Sequence, residues 1–298
     1  MTSAASTLVL AAIIIGLILL ARFGRVGQKI TMYTILLVVA FIMVFPFYDM
    51  LVMATSATTE LRSATPPLFF GTSAQENFSR MTQSVNIPLA FRNSLMISGS
   101  FTALSLLFCS IGGYAFAMYR FPGRNILFAL LLGTMMVPQA ATTIPWYIMM
   151  SRFGWVNNPL ALIIPGCASA FGIFWMRQYC FNNVPRELLD AARIDGCPEW
   201  QIFFRVVAPI LKPAYATLGI MCFVGSWNDF MNPLLILKDA SLRTLPLMLR
   251  YLVGDPRRGT DMGPLLMANA FVVLPLLIVF LIASRQFISG LTAGAIKE

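Results

Sequence analysis

The chain contains no histidine. That absence excludes Ser–His–Asp and Cys–His catalysts, the common zinc-hydrolase ligand sets and a histidine pH switch. It also lacks a Gly-Lys pair: Lys29, Lys212, Lys238 and Lys297 follow Gln, Leu, Leu and Ile. No Walker A loop can form, so the chain does not hydrolyse ATP by that route. The 5 cysteines show no C-x-x-C spacing and read as small core hydrophobes. Charge is scarce as well, at 11% of residues, where soluble domains carry about 25%.

What fills the 298 residues instead is apolar: 58% are hydrophobic. One soluble core cannot hide that much apolar surface, and so few charges cannot coat it. An integral membrane protein resolves the conflict, because lipid supplies the apolar solvent. The apolar content excludes disorder, and so few cysteines exclude a disulfide scaffold. The net charge is +9, but no basic stripe with interleaved aromatics marks a nucleic-acid surface. Retention of Lys and Arg on the inner side accounts for the excess.

Six apolar runs are long enough to cross ~30 Å of hydrocarbon. They cover 30–53, 94–118, 126–149, 159–179, 214–237 and 264–283. A shorter run over 2–21 reads as an accessory N-terminal transmembrane helix; its strongly apolar part is about 21 Å long as a helix. The expected fold is an all-α integral membrane protein with a six-helix core plus this accessory helix. Residues 1–29 form the accessory helix and a basic linker, and 30–298 the transmembrane domain. With the N-terminus outside and the C-terminus cytoplasmic, twelve basic residues fall on the inner side and nine on the outer. Pro46, Pro138, Pro145, Pro165, Pro233 and Pro275 interrupt the runs, and each is expected to kink its helix.

The inner stretch 180–213 does not read as a linker. Pro185 suits a first helical position, and Glu187 sits in the first turn, where the helix dipole favours an acid. Leu188, Leu189, Ala191, Ala192 and Ile194 supply an apolar side, while Arg186, Asp190 and Arg193 form a polar one. Gly196 ends the helix, because glycine adopts the left-handed geometry without a Cβ clash. Pro198 and Glu199 start a second helix carrying Trp200, Phe203 and Phe204, interrupted by Pro209 and Pro213. Such aromatics on an exposed elbow need a partner: their own bundle, the membrane surface or another protein.

The run Asp190-Ala191-Ala192-x-x-x-Gly196, then nine residues, then Val206-Val207-Ala208-Pro209, resembles the EAA loop of ATP-binding-cassette importer permeases. Ile194-Asp195-Gly196 and Phe203 are similar to the maltose-type carbohydrate uptake branch. So are Ser226-Trp227-Asn228-Asp229-Phe230 and the tail Gly290–Lys297. Asp190 replaces the family's Glu. The resemblance covers about 30–298.

It implies a coupling helix seated in a separate ATPase subunit, with Glu187, Asp190, Ala191, Ala192, Arg193, Asp195 and Gly196 at the contact. On this reading Asp190 and Arg193 are polar contacts on the rim of that seat. Tail residues Thr292, Gly294 and Lys297, within 286–298, would reach the ATPase dimer. The outer loop 238–263, with Asp255, Arg257 and Arg258, would touch an extracytoplasmic solute-binding protein. A second homologous permease subunit completes the implied assembly. ATP-Mg would be bound by the ATPase, leaving this chain with no cofactor, metal or catalytic residue of its own. The substrate implied is a sugar or oligosaccharide.

Asp229 is an acid inside an apolar span, so it should face the bundle interior or water. With Trp227 and Asn228 it offers the mixture of polar groups and ring faces that suits sugars. One expectation is that the three line a translocation pathway; the other is that they hold neighbouring helices together. An ion-gradient-driven transporter using Asp229 as the coupling acid is the alternative function. It would leave the elbow without a role.

Overall fold

A computed structural model of the chain describes residues 24–63, 65–253 and 261–293. The expected accessory helix 2–21, together with Asp255, Arg257, Arg258, Gly294 and Lys297, lies outside these residues. Thr292 falls in the last described helical turn. Every regular element among the described residues is helical.

Two compact units, Met1–Asn77 and Phe78–Glu298, divide the chain. The first is built on helix α1, Gly24–Thr55, whose long apolar side chains are largely exposed, as lipid contact requires. At its end Asn77 Nδ2 donates to the carbonyls of Ala54 and Ser56, each at 2.9 Å.

The second unit contains two unbroken long helices, α2 (Ile87–Met118) and, at its end, Met262–Ala293. Helix α2 starts cleanly: Asn86 Oδ1 accepts from the Leu89 amide at 3.1 Å, and Pro88 occupies the first turn. Between these two, the remaining apolar runs are broken. Helices α3 (Arg124–Thr134) and α4 (Gln139–Arg152) meet at 100° across Met135–Pro138. Helix α5 (Leu160–Ile163) stops before Pro165 and Gly166, and α6 (Ala170–Asn183) restarts from Ser169, whose Oγ accepts from the Gly172 amide at 3.1 Å. Helix α7 (Arg186–Ile194) forms the first arm of the elbow, and α8 (Lys212–Trp227) and α9 (Met231–Ile236) share the next run.

All six expected runs therefore lie on helix, but three are discontinuous. The prolines explain only part of this. Pro138 and Pro165 sit at breaks, and Pro233 sits in the first turn of α9. Pro46, Pro145 and Pro275 lie inside helices that run on through them.

The densest pairing in the second unit joins α2 and α6. Small residues make it possible. A Cβ on Gly113 would stand 2.6 Å from the Arg177 backbone nitrogen, and one on Gly172 would stand 2.5 Å from Cys109 Sγ. In lipid there is no hydrophobic drive between helices, so close backbone approach supplies the van der Waals contact instead. At the end of this seam Tyr114, Ala117, Cys180, Val184, Leu189 and Phe203 form one buried cluster.

Candidate functional site

The elbow is built by local rules. Pro185, expected as the first helical residue, is instead the N-cap of α7, and Glu187 lies in the first turn. Asp195 caps the C-terminus, and Gly196 follows at φ +77°, a left-handed conformation that strains residues with a Cβ. The chain then turns into Glu199–Gln201, and Ile202–Val207 continues as a π-helix rather than the plain α-helix the sequence suggested. The whole second arm, Glu199–Ile210, meets α8 at 81°.

Burial splits the elbow into two faces. Leu189 is the one buried residue of α7, at 2% exposure, and it inserts beside Tyr114, Ile202 and Phe203. Leu188, Ile194, Trp200 and Phe204 remain exposed, Ile194 at 87%. Glu187, Asp190, Ala191, Arg193, Asp195 and Gly196 are also exposed, and Ala192 is half-buried. All seven residues expected at a partner contact therefore sit together on this short arm.

Its polar groups are tied to each other. Arg193 Nε donates to Glu199 Oε1 at 2.8 Å, and its Nη1 donates to Asp190 Oδ1 at 3.0 Å. Tyr119, the C-cap of α2, donates its hydroxyl to Glu199 Oε2. The Arg193 guanidinium, and then the Tyr119 hydroxyl, hold the Glu199 carboxyl below its ordinary pKa. The same Glu199 bond raises Arg193. Desolvation, and then the Glu199 carboxylate, raise Tyr119. Sequence reasoning read Glu199 as a helix start; it had no signal that this residue would meet Tyr119.

A second site lies in the broken runs. A cavity of about 550 Å³ opens among α4, α5, α8 and α9. Its polar lining comes from Gln139, Thr142, Thr143, Ser226, Asp229 and Asn232, and its aromatic lining from Phe101 and Trp146. Asp229 does not sit inside a continuous helix, as the sequence suggested, but in the gap between α8 and α9. Its Oδ1 accepts from the Asn232 amide at 3.2 Å and its Oδ2 from Asn232 Nδ2 at 2.8 Å. One acid thus caps the helix that restarts after it and faces the cavity.

The other two residues expected on a pathway lie elsewhere. Trp227 is 1% exposed, donates Nε1 to the Val272 carbonyl at 3.1 Å and stacks on Phe223. It holds α8 against the last helix. Asn228 is exposed and does not line the cavity. The residues that do were partly legible: Gln139, Thr142 and Thr143 repeat at helical spacing in an apolar run, and Asn232 lies three residues after Asp229.

The opposite loop is pinned by amides. Asn93 Nδ2 donates to the carbonyls of Ser241 and Arg243, at 2.7 and 3.1 Å. Asn157, at φ +62°, accepts from the amides of Lys238 and Asp239 and donates to the Asp239 carboxylate. Among the described residues no group of three or more Cys, Asp or Glu is placed to hold a metal ion.

The family described as the binding-protein-dependent transport system inner membrane component matches residues 110–292. The lactose transport system permease protein LacG of Rhizobium radiobacter is 36% identical over 90% of this chain and 96% of its own length. The arabinooligosaccharides transport system permease protein AraQ of Bacillus subtilis (strain 168) is 40% identical over 70% and 73%. A chain from the crystal structure of a bacterial ABC transporter that imports the acidic polysaccharide alginate superposes with a TM-score of 0.76. That match covers 89% of this chain and 99% of the other; at 20% identity it is a likeness of fold.

Proposed function

Because this chain belongs to the family of binding-protein-dependent transport system inner membrane components, we propose that its elbow seats a separate ATPase and its cavity lines a sugar path. The chain is the permease subunit of a carbohydrate-uptake ABC importer, a multi-pass protein of the inner membrane and not an enzyme.

The observation that carries the coupling role is the split elbow. Leu189 anchors α7 to the chain's own core, while Leu188, Ile194 and Trp200 remain uncovered around the Gly196 bend. An anchored arm with an exposed apolar crest suits a groove on another protein. The absent Gly-Lys pair fits this arrangement, since ATP-Mg would be bound by that partner. ATP-driven closure of the ATPase pair would move α7 as a rigid body and switch the access of the cavity.

The cavity supports a glycan path by its chemistry. Amides, hydroxyls and one carboxylate face two aromatic rings, the mixture that orients sugar hydroxyls and covers ring faces. Among the described residues its lining contains Asp229 and no Lys or Arg, which disfavours an anionic glycan. The pinned loop from Lys238 onward would face the solute-binding protein, with the N-terminus outside and the C-terminus cytoplasmic. A second related permease would complete the path.

A photoreactive crosslinker at Ala191 or Ala192 tests the seat in working cells. Capture of an ATPase subunit is the expected outcome. Capture of lipid or this same chain alone would refute it.

A further inference from the structure

Arg193 turns two nitrogens of its fork inward. Its Nε and Nη1 are both engaged inside the chain, on Glu199 at 2.8 Å and Asp190 at 3.0 Å. Glu199 in turn uses both carboxylate oxygens, one for Arg193 and one for the Tyr119 hydroxyl. Tyr119 closes α2; its carbonyl accepts from Arg124 Nη1 at 3.2 Å. Its ring stands edge-on to Tyr114, which packs on Phe203 of the second arm. Two residues eighty positions apart in sequence are thus joined by one directional bond.

We propose that Arg193, Glu199 and Tyr119 form a tie that transmits movement of α7 to the end of α2, acting as positioning residues for transport. The proposal rests on the elbow being the ATPase seat, and it reassigns Arg193 from a rim contact to an internal link. The charged groups are roughly half exposed, and ion pairs of that kind add little to stability. A geometric role explains why all three are nonetheless engaged at once. The apolar cluster around Leu189 holds the two elements in contact by non-directional packing; the hydrogen bonds add direction. Helix α2 also carries Phe101 into the cavity wall, about 27 Å along the helix from Tyr119 at 1.5 Å per residue. A displacement at the elbow therefore reaches the cavity through one unbroken rod.

The test uses the assembled importer, both permeases with the ATPase, in lipid nanodiscs. Hydrogen–deuterium exchange is followed over α7 and over the last turns of α2, with and without ATP plus vanadate. In the wild type both segments should respond to the trapped nucleotide. In Glu199→Gln and in Tyr119→Phe, the α2 response should fall roughly fivefold or more while α7 still responds. The ATPase should co-purify in both variants and in Arg193→Ala. Tyr119→Phe removes a single oxygen, so it retains the fold if Glu199→Gln does not. Arg193→Ala should lose the α2 response too, and Arg193→Lys, whose ammonium lacks the fork, should keep it only in part.

A wild-type α2 response in Tyr119→Phe would overturn the tie. Loss of the ATPase from Arg193→Ala alone would also overturn it, by making Arg193 a rim contact after all. A wild-type complex that holds no ATPase, or whose α7 ignores nucleotide, would instead refute the seat on which the proposal rests.

Discussion

At the seam between α2 and α6, glycine brings two backbones into contact; in the wall of the cavity, Gly225 leaves space. A Cβ on Gly113 would press on backbone atoms of Met176 and Arg177, whereas one on Gly225, in the cavity lining, meets nothing within 4 Å. The seam uses an unbroken helix and a capped one. The cavity draws every lining residue except Phe101 from the interrupted runs. The difference teaches that breaks and cavity arise together. Backbone groups freed at a break cannot face lipid unsatisfied, so they are tolerated where they line a polar space or find a side-chain partner such as Asp229.

The comparison can be tested at both ends. The largest effect is expected at the foot of the seam, where Leu189→Ala empties a fully packed site. A loss of about 2–5 kcal/mol should appear as a lowered thermal midpoint of the purified protein. An unchanged midpoint would mean that α7 is not anchored. Next, Gly113→Ala should cost about 1–3 kcal/mol by overpacking, again read in the melt. Gly225→Leu should reverse the pattern: stability within about 0.5 kcal/mol of wild type, but reduced sugar uptake because the side chain fills the cavity. Equal uptake in that variant would separate the cavity from the path.

The smallest effect concerns pH. Glu199 has a lowered pKa in the folded chain, so its contribution is present above the ordinary carboxylate value of ~4.3 and is lost as pH falls through the folded value. Faster amide exchange in Arg186–Gln201 below about pH 4, corrected for intrinsic rates, should reveal it. Glu199→Gln should abolish that transition.

Much of this was legible from residues alone. Apolar run lengths located helix in all six runs, and Pro185, Glu187 and Gly196 marked the limits of α7 to within one residue. Those signals are local, set by helix dipoles, capping and the steric freedom of glycine. Asp229 stood out because an acid in an apolar run needs a partner or water. Its neighbours Trp227 and Asn228 could not be sorted the same way. One turns into a buried bond to Val272 and the other outward, and that depends on where the chain breaks.

The amino-acid order by itself determined a helical membrane protein, the place of its elbow and the residue at its bend, because periodicity and turn chemistry act over a few residues. Folding in three dimensions decided which runs would interrupt, which polar groups would share a cavity, and that Tyr119 would meet Glu199. Those outcomes depend on close approach between helices distant in sequence, where a glycine seam or a lone carboxylate matters only once its neighbours are in place.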